Sequence, residues 1–159
     1  MLRKLKRLSR QENKRNMQTI EREHCELCGS PGGELIWENP LCRVVAVTEQ
    51  DYPGFCRVIL NRHASEMTDL PDADRHELMR IVFAVETALR QLYEPDKINL
   101  ASFGNLTPHI HWHVIPRWNN DRHFPHSVWG AAQRVNSPAR NLVSSRQLCS
   151  AIDAALESA

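Results

Sequence analysis

The 159-residue sequence has little of what marks a membrane, secreted or nucleic-acid-binding protein. No apolar run approaches the roughly 18 to 20 residues that a membrane-spanning helix needs. The N-terminus lacks the apolar segment of a secretory signal. The formal net charge is only +1, which argues against nonspecific binding to nucleic acid. We therefore expect a cytoplasmic protein with neither a membrane nor a nucleic acid as its partner.

Glycines are few and cysteines are odd in number. The 6 glycines form no Gly-rich phosphate-binding loop, and the chain holds no internal repeat or low-complexity tract. The 5 cysteines cannot all pair, and a chain of this length builds a core without disulfides, so we expect thiols or metal ligands in a reducing compartment. Cys42, Cys56 and Cys149 alternate with core-type residues and are expected to be small buried hydrophobes.

Charge is distributed unevenly along the chain. Residues 1–16 contain seven Lys or Arg and one Glu, whereas the remainder is net acidic. A basic segment with only three leucines cannot offset the entropy lost in ordering its backbone. We therefore predict a flexible basic tail over residues 1–20 and a single domain with a C-terminal extension over residues 21–159.

Short strands and one long helix follow the tail in the predicted order of elements. Val, Ile and Leu between Asn-Pro or Pro-Gly punctuation predict strands at 34–38, 41–47 and 56–61. Pro71 is expected to be the first residue of a helix of about 22 residues, whose apolar face carries Leu78, Val82, Val85, Leu89 and Leu92. Further strands are predicted at 97–103 and about 109–115, and Ser144 or Ser145 is expected to cap a terminal helix. The fold class is therefore α+β, an antiparallel sheet of about five strands with a long packed helix.

Three histidines occupy alternate positions of a strand-like run. His109, His111 and His113 are separated by apolar residues, so a strand would place all three imidazoles on one face and the apolar residues in the core. Two chemistries use such a face. Neighbouring imidazoles can hold a catalytic metal with an open position for water. Alternatively, one neutral imidazole attacks phosphorus while a protonated neighbour stabilises the phosphoryl oxygens.

The run His-Ile-His-Trp-His-Val-Ile over residues 109–115, followed by Pro116-Arg117, resembles the signature of the histidine triad (HIT) family. The order of the surrounding motifs is also similar: Tyr52-Pro53-Gly54, the strand ending at Asn61, His63, Met67 to Leu70, Ile98-Asn99 and Gly104-Asn105. The resemblance covers residues from about 25 to 117. It implies a HIT-like fold, a nucleotide substrate and a homodimer.

The resemblance also implies a role for each site residue. His111 would be the nucleophile on the α-phosphate, His113 would contact phosphate oxygens, and His109 would order the site. Asn99 stands at the family's phosphate-contacting position, and Asn105 stands where many members carry the longer Gln. The family's ribose-binding residue has no clear match near residues 47–49.

Cys25 and Cys28 form a CxxC knuckle whose spacing suits two ligands of one tetrahedral Zn²⁺. A Gly-Ser-Pro-Gly-Gly segment follows it rather than the helix of a redox motif, which favours metal over redox chemistry. Resemblance to some bacterial HIT proteins implies that His63 and His109 complete a structural zinc site. Otherwise His24, or nothing, would complete it.

The sequence leaves the roles of several other polar and aromatic residues less specified. His123, His126, Trp118 and Trp129 belong to a loop that would either cover the active site or simply pack. Arg117 is expected to be a solvated arginine at a strand end rather than a phosphate ligand. His76 is expected to be exposed on the long helix.

The resemblance implies a hydrolase that cleaves nucleoside polyphosphates, of which diadenosine tetraphosphate is the expected class, through a covalent nucleotidyl-histidine. The chemistry itself would require no cofactor. The alternatives are nucleotidyl transfer to a phosphate or sugar-phosphate acceptor, and a noncatalytic nucleotide-binding module. Sugar-phosphate uridylyltransferases of the superfamily usually end their triad with Gln, so His113 favours water as the acceptor.

Overall fold

A computed structural model describes residues 25–158 of the chain. The predicted basic tail, residues 21–24 with His24, and Ala159 lie outside the described residues. A short 3-10 helix spans Met67–Asp69. The remaining elements, in chain order, are α1 (Glu26–Gly29), β1 (Glu34–Glu38), β2 (Cys42–Ala46), β3 (Cys56–Leu60), α2 (Asp72–Tyr93), β4 (Lys97–Ala101), β5 (His111–Arg117) and α3 (Ser145–Glu157).

The five strands form one antiparallel sheet in the order β1-β2-β3-β5-β4, which confirms the predicted α+β class. β5 lies between β3 and β4, so both of its edges are hydrogen-bonded within the sheet. Its register pairs Ile59 with His111 and Arg57 with His113. Two of the three candidate triad residues, His111 and His113, therefore stand on an interior strand, where the backbone is fixed on both sides.

The two faces of the sheet are covered differently. The helix face carries Val44, Val58 and Val114, which pack with buried residues of α2 and α3. The cavity face carries Arg57, Ile59, His111 and His113, because successive residues of a strand point to opposite sides. Trp112 and Val114 pack in or against the helix-face core, as does Ile110 just before β5, which confirms the predicted alternation.

The long helix matches its predicted apolar pattern. Leu78, Val82, Val85 and Leu89 are buried, and Leu92 packs against the same core. Pro71 is the residue before the helix rather than its first residue. Its extended ψ of 151° lies outside the helical region, which corrects the expectation. None of the helices in the described part of the chain has the length and apolar character needed to span a bilayer.

The terminal helix begins as predicted. The Ser144 hydroxyl accepts from the Gln147 N–H, while the Gln147 side chain accepts from the Ser144 N–H. This reciprocal arrangement satisfies two backbone N–H donors at the helix start. Leu148 and Ile152 then dock α3 on the core beside α2.

Gly54 sets the entry into β3. Its φ of +83° lies in the left-handed region, and a Cβ there would fall 2.6 Å from the Tyr93 ring. Only glycine meets both conditions without strain. The turn buries Phe55 on the cavity face, next to the imidazole of His113.

Candidate functional site

His111 has a fixed ring orientation. Its Nδ1 lies 2.6 Å from the carbonyl oxygen of His109, and a carbonyl can only accept, so Nδ1 carries the proton. The Nε2 atom is consequently the one with the lone pair. Burial lowers the pKa of His111, the charge of Arg57 adds to this, and together they outweigh the opposing hydrogen bond to His109. His111 is therefore neutral at pH 7.

His113 lies in an aromatic surround. Its ring centroid is 4.9 Å from that of His111, 5.0 Å from Trp129 and 5.6 Å from Phe55. Burial, and then the charges of His111 and Arg57, lower the pKa of His113 to about 4. Its Nδ1 atom is buried and has no hydrogen-bond partner among residues 25–158. With this pKa, His113 itself is neutral at pH 7.

A cavity of about 590 Å³ opens over these two imidazoles. Asn105 and Arg57 line it together with His111, His113 and Trp129. Asn99 instead lines an adjacent cavity of about 500 Å³, and its Oδ1 accepts from Arg117 at 2.7 Å. Phe103 and Trp129 border both cavities. The structure therefore brings Asn105 to the candidate nucleophile and sets Asn99 one cavity away.

His109 precedes β5 and turns away from the other two imidazoles. The strand begins at His111 rather than at the predicted residue 109, and His109 does not line the cavity over His111 and His113. His109 is fully buried, and its Nε2 donates to the Leu60 carbonyl at 2.7 Å. Its Nδ1 lone pair is thereby directed at the CxxC knuckle.

Cys25, Cys28, His63 and His109 converge as the resemblance implied. Their ligand atoms all lie within 4.8 Å of one another. The Cys25 Sγ is 3.3 Å from Nδ1 of His109, and the Cys28 Sγ is 3.4 Å from Nδ1 of both His63 and His109. Tetrahedral Zn²⁺ with ordinary bond lengths separates S and N ligands by about 3.6 Å. The four side chains therefore fit a Cys₂His₂ metal centre.

The knuckle is held on the sheet by Arg43 of β2. The guanidinium donates to the carbonyls of Leu27, Ser30 and Pro31 at 2.6 to 3.1 Å. Leu27 also packs with the cavity-face residues Val45 and Ile59. The two cysteines thus approach the histidines through contacts that involve no metal.

Arg117 is buried rather than solvated, which corrects the expectation. Only 2% of it is exposed, and it forms an ion pair with Asp121, which is fully buried. The distance from Nε of Arg117 to Oδ2 of Asp121 is 2.7 Å. The turn after β5 brings Asp121 back to the strand end, and this return was not visible in the sequence.

Asp121 also organises the loop that follows. Its carboxylate accepts from the backbone N–H groups of Trp118, His123 and Phe124 at 2.7 to 3.2 Å. Burial raises the pKa of Asp121, but the hydrogen bonds from Arg117 and these amides outweigh burial, so the net pKa is lowered. A fixed carboxylate therefore shapes the start of the 118–137 loop.

The aromatic and histidine residues of this loop differ in what they contact and in how far they are buried. Trp129 covers the candidate site, whereas Trp118 is buried and stacks under Arg140. His123 contacts the Tyr52 hydroxyl, and His126 is exposed. Both alternatives left open for the loop therefore occur, one at Trp129 and the other at Trp118.

The expectations for other cysteines and for His76 are largely confirmed. Cys42 and Cys56 are fully buried, and His76 is exposed on α2. Cys149 is only half-buried because α3 is amphipathic and lies at the edge of the core.

Two residues of the site were not singled out from the sequence. Arg57 is the only charged residue of β3 and faces the cavity. A charge within the apolar run Cys-Arg-Val-Ile-Leu was a signal that could have found it. Asp121 carried no such signal, because its contacts depend on the path of a loop.

Similarity to known proteins agrees with this geometry. A family model described as the HIT domain matches residues 32–120, more than half of the chain. The chain belongs to the HIT family. The resemblance drawn from the motifs is thus confirmed, and the five-stranded antiparallel sheet with its helices matches the HIT fold.

Curated relatives match this HIT chain over a part of their length. An AP-4-A phosphorylase from two strains of Mycobacterium tuberculosis is 31% identical over 85 residues. The match covers 50% of this chain and 44% of the relative. The chain therefore aligns with less than half of the curated relatives it matches.

Solved structures extend the likeness to most of the chain. A histidine triad protein from Bradyrhizobium japonicum is 28% identical with a TM-score of 0.57, covering 79% of this chain and 90% of that one. One from Marinobacter aquaeolei is 23% identical with a TM-score of 0.61, covering 80% and 91%. A zinc-bound family member from Mycobacterium smegmatis is 22% identical with a TM-score of 0.57, covering 86% and 96%. At these lower identities the likeness is one of fold.

Proposed function

We propose that this HIT protein hydrolyses nucleoside polyphosphates of the diadenosine tetraphosphate class, with His111 as the nucleophile. The observation that carries the proposal is the hydrogen bond from Nδ1 of His111 to the His109 carbonyl. It leaves the Nε2 lone pair on a neutral ring that lines a cavity of nucleotide dimensions. Membership of the HIT family and similarity to an AP-4-A phosphorylase support a nucleotide as the substrate.

The reaction proceeds in two displacements. Nε2 of His111 forms a bond to the α-phosphorus while the bond from that phosphorus to the bridging oxygen breaks, and the leaving group departs as a nucleoside polyphosphate. Water then attacks the phosphorus of the nucleotidyl-histidine, and the P–N bond breaks with its electron pair returning to Nε2, which restores the neutral ring. The proton of the attacking water passes to solvent. Diadenosine tetraphosphate and water thus give AMP and ATP.

His113 and Asn105 would bind the phosphate oxygens. His113 is neutral at pH 7, so it contributes an N–H donor rather than a full charge, and its Nδ1 has no partner within residues 25–158. Asn105 lines the same cavity with its amide. Asn99 keeps its predicted phosphate role as a proposal, although Arg117 holds its Oδ1.

A quenched reaction tests the nucleophile directly. We expect mass spectrometry to find an adenylate adduct on the peptide that contains His111, and His111→Ala to lower kcat by about a thousandfold or more. His76→Ala is the matched control, since this histidine is exposed on α2. No adduct, together with full activity of His111→Ala, would exclude the mechanism. Nucleotide binding without release of a mononucleotide would indicate a noncatalytic binding module.

A second acceptor, phosphate, is favoured by one observation. The curated relative is named a phosphorylase, although it aligns over only part of its length. Phosphate attacking the same nucleotidyl-histidine would release ADP in place of AMP. Chromatography of products formed with and without added phosphate separates the two acceptors, and we expect AMP in both reactions.

We also propose that Cys25, Cys28, His63 and His109 hold a structural Zn²⁺. The directed lone pair of His109 and the short sulfur–nitrogen distances support it, as does a family member described as zinc-bound. The metal would clip the knuckle to His109, whose carbonyl orients His111. We expect one equivalent of zinc by elemental analysis, and chelation should lower Tm before it affects the chemical step. A zinc-free protein of unchanged Tm would contradict this role.

The remaining expectations stay proposals. Homodimer formation, implied by the family resemblance, is tested by light scattering of the full chain, and a monomer mass would contradict it. Residues 21–159 are proposed to act as one domain. A cytoplasmic location accords with cysteines that form no disulfide among the described residues.

A further inference from the structure

Arg57 is a charged residue at the centre of the sheet. β3 lies between β2 and β5, and Arg57 stands between the fully buried residues Cys56 and Val58. It pairs in register with His113, so the two side chains project from the cavity face as direct neighbours across the strands. Arg57 is half-buried, and a charge that is partly removed from water is costly unless it is paired or hydrogen-bonded.

The contacts of Arg57 within the protein are few. Nη1 donates to the Gly32 carbonyl at 3.3 Å, while the buried Nε has no hydrogen-bond partner among residues 25–158. No carboxylate in that part of the chain forms an ion pair with it. Much of its donor capacity is therefore unused.

The other two arginines of the sheet differ in this respect. Arg43 donates to three carbonyls of the knuckle, and Arg117 is paired with Asp121. Both are structural, because their hydrogen bonds join two parts of the fold. Arg57 lines the cavity that contains His111 and His113 instead.

The charge balance of the cavity points to an anion. Arg57 is the one lysine or arginine among the described residues that line this cavity. The acidic residue among the cavity-lining residues, Glu26, is exposed at the rim. A guanidinium binds phosphate oxygens through two parallel hydrogen bonds, whereas the ribose and base of a nucleotide are uncharged.

The position of Arg57 along β3 indicates which phosphates of the substrate it would contact. His111 pairs with Ile59, and Arg57 lies one same-face step further along β3, a distance of roughly 6.6 to 7 Å. A phosphate under attack by His111 is thus offset from Arg57. The phosphates beyond the scissile bond extend over such a distance.

We propose that Arg57 binds the phosphates of the leaving group and thereby selects polyphosphate substrates. This rests on the proposed function, since it assumes that His111 attacks the α-phosphate. Arg57 is then a specificity-determining residue: it favours nucleotides whose leaving group is a phosphate chain over nucleotidyl esters whose leaving group carries no phosphate.

The proposal is tested with two substrates that transfer the same AMP group to His111 but differ in their leaving groups. Arg57→Gln should lower kcat/KM for diadenosine tetraphosphate by roughly 10- to 100-fold. It should leave the p-nitrophenyl ester of AMP, whose leaving group is a phenolate, within about threefold. Arg57→Lys should recover only part of the loss, because an ammonium lacks the planar fork. Arg75→Gln, with the same change in charge on α2 away from the cavity, is the control.

A binding measurement keeps the inference independent of turnover. Inorganic triphosphate should bind the wild-type protein and the Arg75→Gln variant alike, and Arg57→Gln should weaken it by at least about tenfold, with circular dichroism confirming the fold. Equal losses on both substrates, or unchanged triphosphate binding, would overturn the role of Arg57. Failure of the wild-type protein to cleave either substrate would instead refute the proposed function, and the triphosphate measurement would still decide about Arg57.

Discussion

The two faces of the sheet are buried by different means, although the same strands supply both. On the helix face, aliphatic side chains such as Val58 and Val114 meet α2 and α3. On the cavity face, Arg57 and His113 stand opposite loops, and Arg117 with Asp121 closes the strand end. The first face needs only matching shape, whereas each group of the second needs a particular partner.

This difference separates stability from function. Apolar contacts are nondirectional, so the helix face can lose a side chain and keep its arrangement at reduced stability. Hydrogen bonds between charged groups are directional, so removal of one partner leaves the other as a buried charge without a counter-charge. Loss of one partner of the buried Arg117–Asp121 pair on the cavity face should therefore lower both stability and activity.

The largest effect should come from Asp121→Asn. This change leaves the buried Arg117 guanidinium without its counter-charge, and we expect the free energy of unfolding to fall by about 3 to 5 kcal/mol. The loop that carries Trp129 should loosen as well, which would raise KM. Urea unfolding and steady-state kinetics measure the two effects. A stability change under about 1 kcal/mol would show that the pair contributes little.

Leu89→Ala tests the helix face for contrast. Leu89 is fully buried, and its truncation should lower the free energy of unfolding by about 3 kcal/mol through lost burial and the resulting cavity. The folded fraction should retain its kcat/KM, because α2 does not contact the cavity over His111. If the folded Leu89→Ala protein also lost kcat/KM, the helix face would contribute to function as the cavity face does.

Trp129→Ala should have a smaller effect, confined to substrate binding. The ring is about half exposed, contacts His113 and Phe103 edge-on, and lines the cavity, so a nucleobase can stack on it. We expect KM to rise by roughly tenfold, with Tm nearly unchanged. Trp129→Phe should retain most of the affinity, and Leu142→Ala, also exposed, is the control. An unaltered KM would show that Trp129 only packs.

The titration of Asp121 should have the smallest effect on stability near neutral pH. The folded-state pKa of Asp121 lies below its ordinary value of about 3.9. Its contribution is therefore complete above that value and is lost as pH falls through the lowered pKa. Urea unfolding should show a constant difference in the free energy of unfolding between the wild-type protein and Asp121→Asn at higher pH. This difference should shrink as the pH falls into the acid range. A constant difference down to the most acid pH would contradict the sign.

Prediction from the sequence succeeded where a periodic pattern was present. The alternation over residues 109–115 and the apolar stripe of α2 identified the triad strand and the long helix, because burial on one face imposes a repeat of 2 or 3.6 residues. The CxxC spacing similarly identified two of the four residues that could hold a metal ion. Strand ends were less well placed, since the start of β5 depends on where β3 stops pairing.

The sequence by itself predicted three imidazoles on one face of a strand and two thiols close in the chain, and the family resemblance implied that His63 and His109 join those thiols. Tertiary structure alone decided that His111 and His113 but not His109 line the cavity, that Arg117 is buried against Asp121, and that Arg57 faces the cavity with donors unused. These outcomes depend on contacts between residues far apart in the chain or on the path of a loop. No local repeat encodes such contacts, because they are set by how the strands pair and where the loops return.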